Sequence, residues 1–202
     1  MYQRICDVAR GAALMTGTEV EIDFASALSD VIPNTTLEET MYNNFVALGV
    51  PNHNEDELQF ANNIRETISE ANKNLEVSMN KKLVGKVLSD LIDPFVPANG
   101  TMPGSTDVGD VSWVVPTAQC MTACEALGTE FHTWQMVATG TTTIAHKGML
   151  HAGKVMAATA MDVLNQPELI EKAKAELVER RNGEVYVSPL PPEVKEYIAR
   201  SY

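Results

Sequence analysis

Cysteine is scarce and odd in number, with Cys6, Cys120 and Cys124 the three thiols in 202 residues. That argues against a disulfide framework and predicts a reducing, cytoplasmic setting. Basic residues are also few, 15 Lys and Arg against 27 Asp and Glu, for a formal charge of −12. Most of such a surface repels a phosphate backbone, so nucleic acid is not an expected partner. No apolar run reaches the roughly 18 to 20 residues that a membrane span needs, so no membrane partner is expected either. The stretch from Met1 to Gly17 does not read as a signal peptide, because Asp7 and Arg10 interrupt it. Internal repeats and low-complexity tracts are lacking. What is present is 45% hydrophobic residues, enough in a chain of this length to bury the core of one large domain or two small ones.

The pattern opens as a helix, with Ile5, Val8, Ala9, Ala12 and Ala13 at three- and four-residue spacing and Gly17 as its stop. From Thr18 to Ala25 the period changes. Val20, Ile22 and Phe24 alternate with Glu19, Glu21 and Asp23, which predicts a strand with one buried face. A lone strand must pair with something, so it predicts a sheet elsewhere. A boundary falls near Asp30 to Asn34. Two helices follow, about 37–48, capped by Asn34 or Thr35, and about 55–72, with Gly49-Val50-Pro51-Asn52 between them. Residues 72–93 are ambiguous. Pro94 to Pro116 carries the Gly and Pro punctuation of a shaped loop, and such loops carry function more often than cores do. Apolar residues on both faces predict a covered strand at Glu130 to Thr139. A buried, nearly all-apolar helix is predicted at about 147–164, and a charged one after Pro167.

Four histidines are available for chemistry: His53, His132, His146 and His151. His146 and His151 are five apart, about 140° on a helix, so at most one of them faces a given metal ion. His146 lies where a Thr-rich turn enters the long helix, a place that suits either a site or a capping histidine. His151, inside the helix, reads first as a packed histidine. Cys120 and Cys124 could share a helix face, but two thiols without a third ligand read as buried apolar groups rather than a zinc site. Glu55-Asp56-Glu57 reads as the negative cluster of a helix N-terminus. Gly104, Ser105, Thr106 and Asp107 offer hydroxyls and flexible backbone that could hold a carboxylate.

Two segments together carry a family resemblance. Gly104-Ser105-Thr106-Asp107-Val108-Gly109-Asp110-Val111-Ser112-Trp113-Val114-Val115-Pro116-Thr117 and Ala145-His146-Lys147-Gly148-Met149-Leu150-His151-Ala152 resemble the C-terminal half of the M20 metallopeptidase and amidohydrolase family, in its aminobenzoyl-glutamate hydrolase-like branch. The resemblance implies an α/β fold: residues 31–202 would be the C-terminal part of a catalytic α/β/α domain, and residues 1–30 the last helix and strand of an α+β lid and dimerisation domain. It implies a divalent metal cofactor, zinc or manganese, with His146 as a ligand and His151 as runner-up. It places Gly104, Ser105, Thr106 and Asp107 near the carboxylate of a small amide or dipeptide-like substrate.

The family's His-x-Asp segment, its bridging Asp and its Glu-Glu pair with the general base do not occur in these 202 residues, so no catalytic residue is assigned. One histidine neither lowers the pKa of a bound water nor accepts its proton. The expected function is therefore that of a C-terminal fragment of a metal-dependent amidohydrolase, inactive alone and dimeric through the strand at 18–25. A non-catalytic interaction module that self-associates through the same strand is the alternative.

Overall fold

The chain is described by a computed structural model over residues 1–98 and 104–190, the side chains of residues 76, 77 and 79 excepted. Polar side chains near helix ends place several of its elements. Asn34, buried, accepts from Leu37 N at 3.1 Å and so caps α2, Thr35–Leu48. Asn54 opens α3, Glu55–Glu66, with a reciprocal capping box: its side chain accepts from Glu57 N while Asn54 N donates to the Glu57 carboxylate. Gly17, in the left-handed region at φ 66°, ends α1, Tyr2–Thr16.

After α3 come α4, Glu70–Met79, and a 3-10 turn at Lys81–Leu83. The short α5 is Val108–Ser112, α6 is Trp134–Gly140, the long α7 is Thr143–Asn165, and α8 is Pro167–Arg181, with Pro at its first position. Helices α2, α7 and α8 pack on one another. Asn44 of α2 donates to Asp162 of α7 at 2.6 Å, and Asn34 donates to the Ala173 carbonyl of α8 at 2.9 Å. A second cluster of Ala61, Ile64, Ile68, Leu88, Ala126 and Ile144 joins α3 to the start of α7.

The α/β expectation fails: among the described residues every regular element is helical, with no strand and no sheet. The stretch 18–25 is irregular. Its alternating pattern meets no partner ladder, and Phe24 instead turns its ring onto Tyr2 of α1, edge to face at 5.1 Å. The expected strand at 130–139 is a turn followed by α6. Its apolar residues on both faces suit a helix as well as a covered strand, and Thr139 bonds back to the Gln135 carbonyl at 2.9 Å, a helical i to i−4 contact. The single helix expected at 55–72 is two, divided at Thr67 to Ser69.

The long helix begins four residues earlier than its apolar pattern suggested, and it is not buried all round. One side of it is covered, by α2, α6, α8 and the cluster around Ile144. The face carrying Met149, Met156 and Leu164 lies in solvent.

Candidate functional site

Residues 99–103 of the shaped loop lie outside the described residues; its later part, with α5 inside it, is held to the chain ahead of α2 by a set of polar contacts. Ser29 donates to Asp110 at 2.7 Å, Tyr186 donates to the same carboxylate at 3.0 Å, and Trp113 Nε1 donates to the Asp30 carbonyl at 3.0 Å. The Ser112 hydroxyl accepts from Ile32 N at 2.8 Å and donates to the Gly109 carbonyl at 2.6 Å. The Ser29 hydroxyl, ahead of the opposing cost of desolvation, holds the Asp110 carboxyl below its usual range. Residue 109 has to be glycine, since a Cβ there would lie 2.0 Å from the Ser29 carbonyl oxygen.

This anchoring presents Gly104, Ser105 and Asp107 to solvent with Thr106 half-buried between them. The Thr106 hydroxyl accepts from Val108 N at 3.3 Å, a local turn contact that leaves its proton to donate outward. Asp107 stands at the N-terminus of α5 without capping it. Three of the four residues are thus open to solvent.

His146 and His151 part company as their spacing requires. His146 is exposed in the first turn of α7, its N–H bonded to the Thr142 carbonyl at 3.1 Å. His151 is buried against Phe45, ring centres 5.4 Å apart, with Nε2 sealed from solvent and unpartnered. It lines a cavity of about 210 Å³ with Phe45, His53, Leu91 and Met121. That cavity includes neither His146 nor residues 104–107. Among the described residues, no three His, Cys, Asp or Glu side chains are grouped so that they could hold a metal ion. Cys124 packs at Gly148, where a Cβ would meet its sulfur at 2.6 Å, and burial pushes the Cys120 thiol up; both thiols are half-buried rather than buried, on a stretch that is not helical.

Sequence reasoning missed the most connected polar group near His146. Glu57, read as part of the negative cluster at a helix N-terminus and found there in the first turn of α3, is also buried beneath the start of α7. Its carboxylate accepts from Thr143 Oγ1 at 2.5 Å, Lys147 Nζ at 2.7 Å and Asn54 N at 2.8 Å, with His53 Nδ1 at 3.4 Å. Burial raises its pKa, but the Lys147, Thr143 and Asn54 hydrogen bonds outweigh that and hold it at about 2. Lys147 also donates to the Asn52 carbonyl at 2.9 Å, so α7 is clamped to the α3 entry one residue beyond His146. The S/T/D/N-x-x-E spacing of Asn54 and Glu57 was the available signal, and it marks the cap without revealing the distant partners.

No family model matches the sequence, and no solved structure matches it. Among curated proteins, a p-aminobenzoyl-glutamate hydrolase subunit of Escherichia coli (strain K12) is 38% identical over 206 aligned residues, which take in 96% of this chain and 43% of that protein. The chain therefore spans less than half the length of the curated relative it matches. In sequence it is a relative of that p-aminobenzoyl-glutamate hydrolase, alike along nearly the whole of its own length.

Proposed function

We propose that the chain is the C-terminal portion of an amidohydrolase that cleaves an amide beside a carboxylate-bearing group, of the p-aminobenzoyl amino acid type. The match to a hydrolase over 96% of the chain carries this reading. In it, residues 1–30 belong to a lid and dimerisation unit and residues 31–202 to the catalytic unit. The exposed loop Gly104 to Asp107 binds the substrate carboxylate through the Ser105 and Thr106 hydroxyls.

Hydrolysis of this kind in the M20 family that the sequence resembles uses a divalent metal, zinc or manganese. The described residues do not make such a site by themselves, since no cluster of three ligand-type side chains exists among them. His146, exposed at the entry to α7, is the residue of this chain assigned to the metal, and the other ligands and the general base belong to sequence outside these 202 residues. His151 is the weaker candidate, because burial against Phe45 keeps its ring from an outside ion.

The test is release of p-aminobenzoate from p-aminobenzoyl-glutamate, together with metal analysis. The chain alone should release none and bind zinc weakly. In a complete enzyme containing it, His146→Ala should lower kcat at least 100-fold and reduce bound metal, while His151→Gln leaves metal content unchanged. Wild-type rate and metal content in His146→Ala would sink the assignment. Tight equimolar zinc binding by the chain alone would show that it holds further ligands.

Self-association through residues 18–25 belongs to the same reading. Val20 and Ile22 of that irregular segment are exposed and available to a second molecule.

A further inference from the structure

His53 and His151 line one cavity of about 210 Å³, apart from His146 and from the loop at 104–107. His151 is 8% exposed, and so is the side chain of His53 in the turn between α2 and α3. Among the described residues, Nδ1 of His53 and Nε2 of His151 are the side-chain polar atoms sealed from solvent without a hydrogen bond. Nδ1 of His53 has the Glu57 carboxylate near it, at 3.4 Å. That leaves Nε2 of His151 as the group the protein does not satisfy. A buried nitrogen of this kind destabilises the fold unless something outside the chain bonds to it.

Gly148, one turn before His151, brings the irregular stretch at 121–127 against α7, since the place of its missing Cβ lies 2.5 Å from the Ala123 carbonyl oxygen. The cavity lies between that stretch, Phe45 of α2 and His151. Its apolar wall is Phe45, Val50, Leu91, Ile92 and Leu127, and Met121, 75% exposed, is where it reaches solvent. An apolar cavity of about 150 Å³ admits benzene, so one of about 210 Å³ admits a single ring with a small substituent. Phe45 and His151 meet edge to face with centres 5.4 Å apart, a wall that suits a further ring. The substituent has to serve Nε2 of His151. A hydroxyl both donates and accepts, and so does this in either tautomer of the imidazole. An anion is disfavoured, because Glu125 is in the wall, the Glu57 carboxylate stands beside His53 and the chain carries −12. Nor is the cavity a metal centre, since no three ligand-type side chains are grouped among the described residues.

We infer that this cavity is a binding site for an uncharged one-ring phenol, its ring against Phe45 and its hydroxyl on Nε2 of His151. Water is the competing occupant, and Ser89 and Thr122 offer hydroxyls to it. Water, however, leaves the apolar wall uncovered, whereas a ring covers it and brings the one polar group that His151 lacks. The inference stands apart from amide hydrolysis, and its readout is binding rather than turnover.

The probe is p-cresol, titrated calorimetrically into the purified chain at neutral pH, with toluene and p-hydroxybenzoate as controls. p-Cresol should bind one to one with a Kd of about 0.1–1 mM. Toluene should bind about tenfold more weakly for want of the hydrogen bond, and p-hydroxybenzoate about tenfold more weakly or worse because of its charge. Long-range proton–nitrogen NMR should show the Nε2 resonance of His151 move as p-cresol is added, while those of the exposed His132 and His146 stay in place. His151→Phe should reduce p-cresol binding to the level of toluene. Should that variant fail to fold, the His151 resonance of the wild type decides alone. A p-cresol Kd above about 10 mM would mean that the cavity holds water only and would overturn the inference. Equal binding of toluene, or saturable binding that leaves the His151 resonance unmoved, would overturn it as well.

Discussion

Lys147 Nζ lies 2.7 Å from the Glu57 carboxylate and joins the first turns of α7 and α3, ninety positions apart in sequence. The carboxylate is buried while the ammonium is about one-third exposed, so the two ends of the pair are not equivalent. Removing Lys147 leaves a buried charge short of a partner; removing Glu57 leaves a lysine that can turn to water. Lys147→Met should therefore destabilise the chain more than its solvent exposure suggests, by about 2 kcal/mol, read from urea unfolding. A loss under about 0.5 kcal/mol would mean that Thr143 and Asn54 satisfy the carboxylate unaided.

The same carboxylate and that of Glu176 set an acid limit. Both are held at about 2, against an ordinary 4.5. For Glu176, burial pulls upward, but the Thr36 and Thr35 N–H groups, the Thr36 hydroxyl and Arg180 prevail. A carboxyl with a depressed folded pKa stabilises the fold above its unfolded pKa, and this contribution drains away as pH falls towards the folded value. Stability should thus decline from about pH 4.5 to about pH 2, and Glu57→Gln should flatten that part of the profile. Thermal unfolding across the range checks it; an unchanged slope in Glu57→Gln would exclude the group as a source.

Two glycines have no room for a methyl group. Gly109→Ala drives Cβ onto the Ser29 carbonyl, and Gly148→Ala drives it to 2.5 Å from the Ala123 carbonyl. Both obstacles are backbone, so each substitution should cost about 1–3 kcal/mol despite the better helix propensity of alanine. Gly153→Ala, with open space around it, should be neutral or slightly stabilising. Melting temperatures of the three variants separate these expectations.

Thr106→Val deletes a hydroxyl while keeping the side chain's shape. In a complete enzyme it should raise KM for a carboxylate-bearing substrate about tenfold with little change in kcat. Unaltered KM would remove the loop from the substrate site.

Dimerisation through residues 18–25 predicts that Val20→Lys, Ile22→Lys yields a monomer by light scattering. Both side chains are exposed in the single chain, so its helical content should be retained. A monomeric wild type would end that proposal.

Helix boundaries were legible in the sequence wherever a local side chain sets them. Asn34, Gly17 and Pro167 mark the ends they were expected to mark. The alternation at Val20 to Phe24 misled, because period-two patterning says which faces differ and nothing about whether a partner strand exists. At Glu130 to Thr139 apolar residues on both faces fit a helix as well as a strand, and ten residues are too few to arbitrate. For the site, exposure of Gly104, Ser105 and Asp107 could be anticipated from loop composition, and the divergence of His146 and His151 from helical spacing. The burial of Glu57 could not, since it depends on α7 arriving over α3 from ninety residues away.

The cap on α2 has a consequence for the order in which the chain folds. Asn34 closes one N–H of that helix from its own neighbourhood, but Thr35 and Thr36 N–H are closed by Glu176, more than 130 residues later. During synthesis the start of α2 leaves the ribosome with those two donors held only by water, and they stay so until α8 emerges. Closing so long a loop costs chain entropy that no local contact offsets. The α2 N-terminus therefore completes among the last parts of the fold, and its amide hydrogens report the docking of α8 rather than the formation of α2 itself.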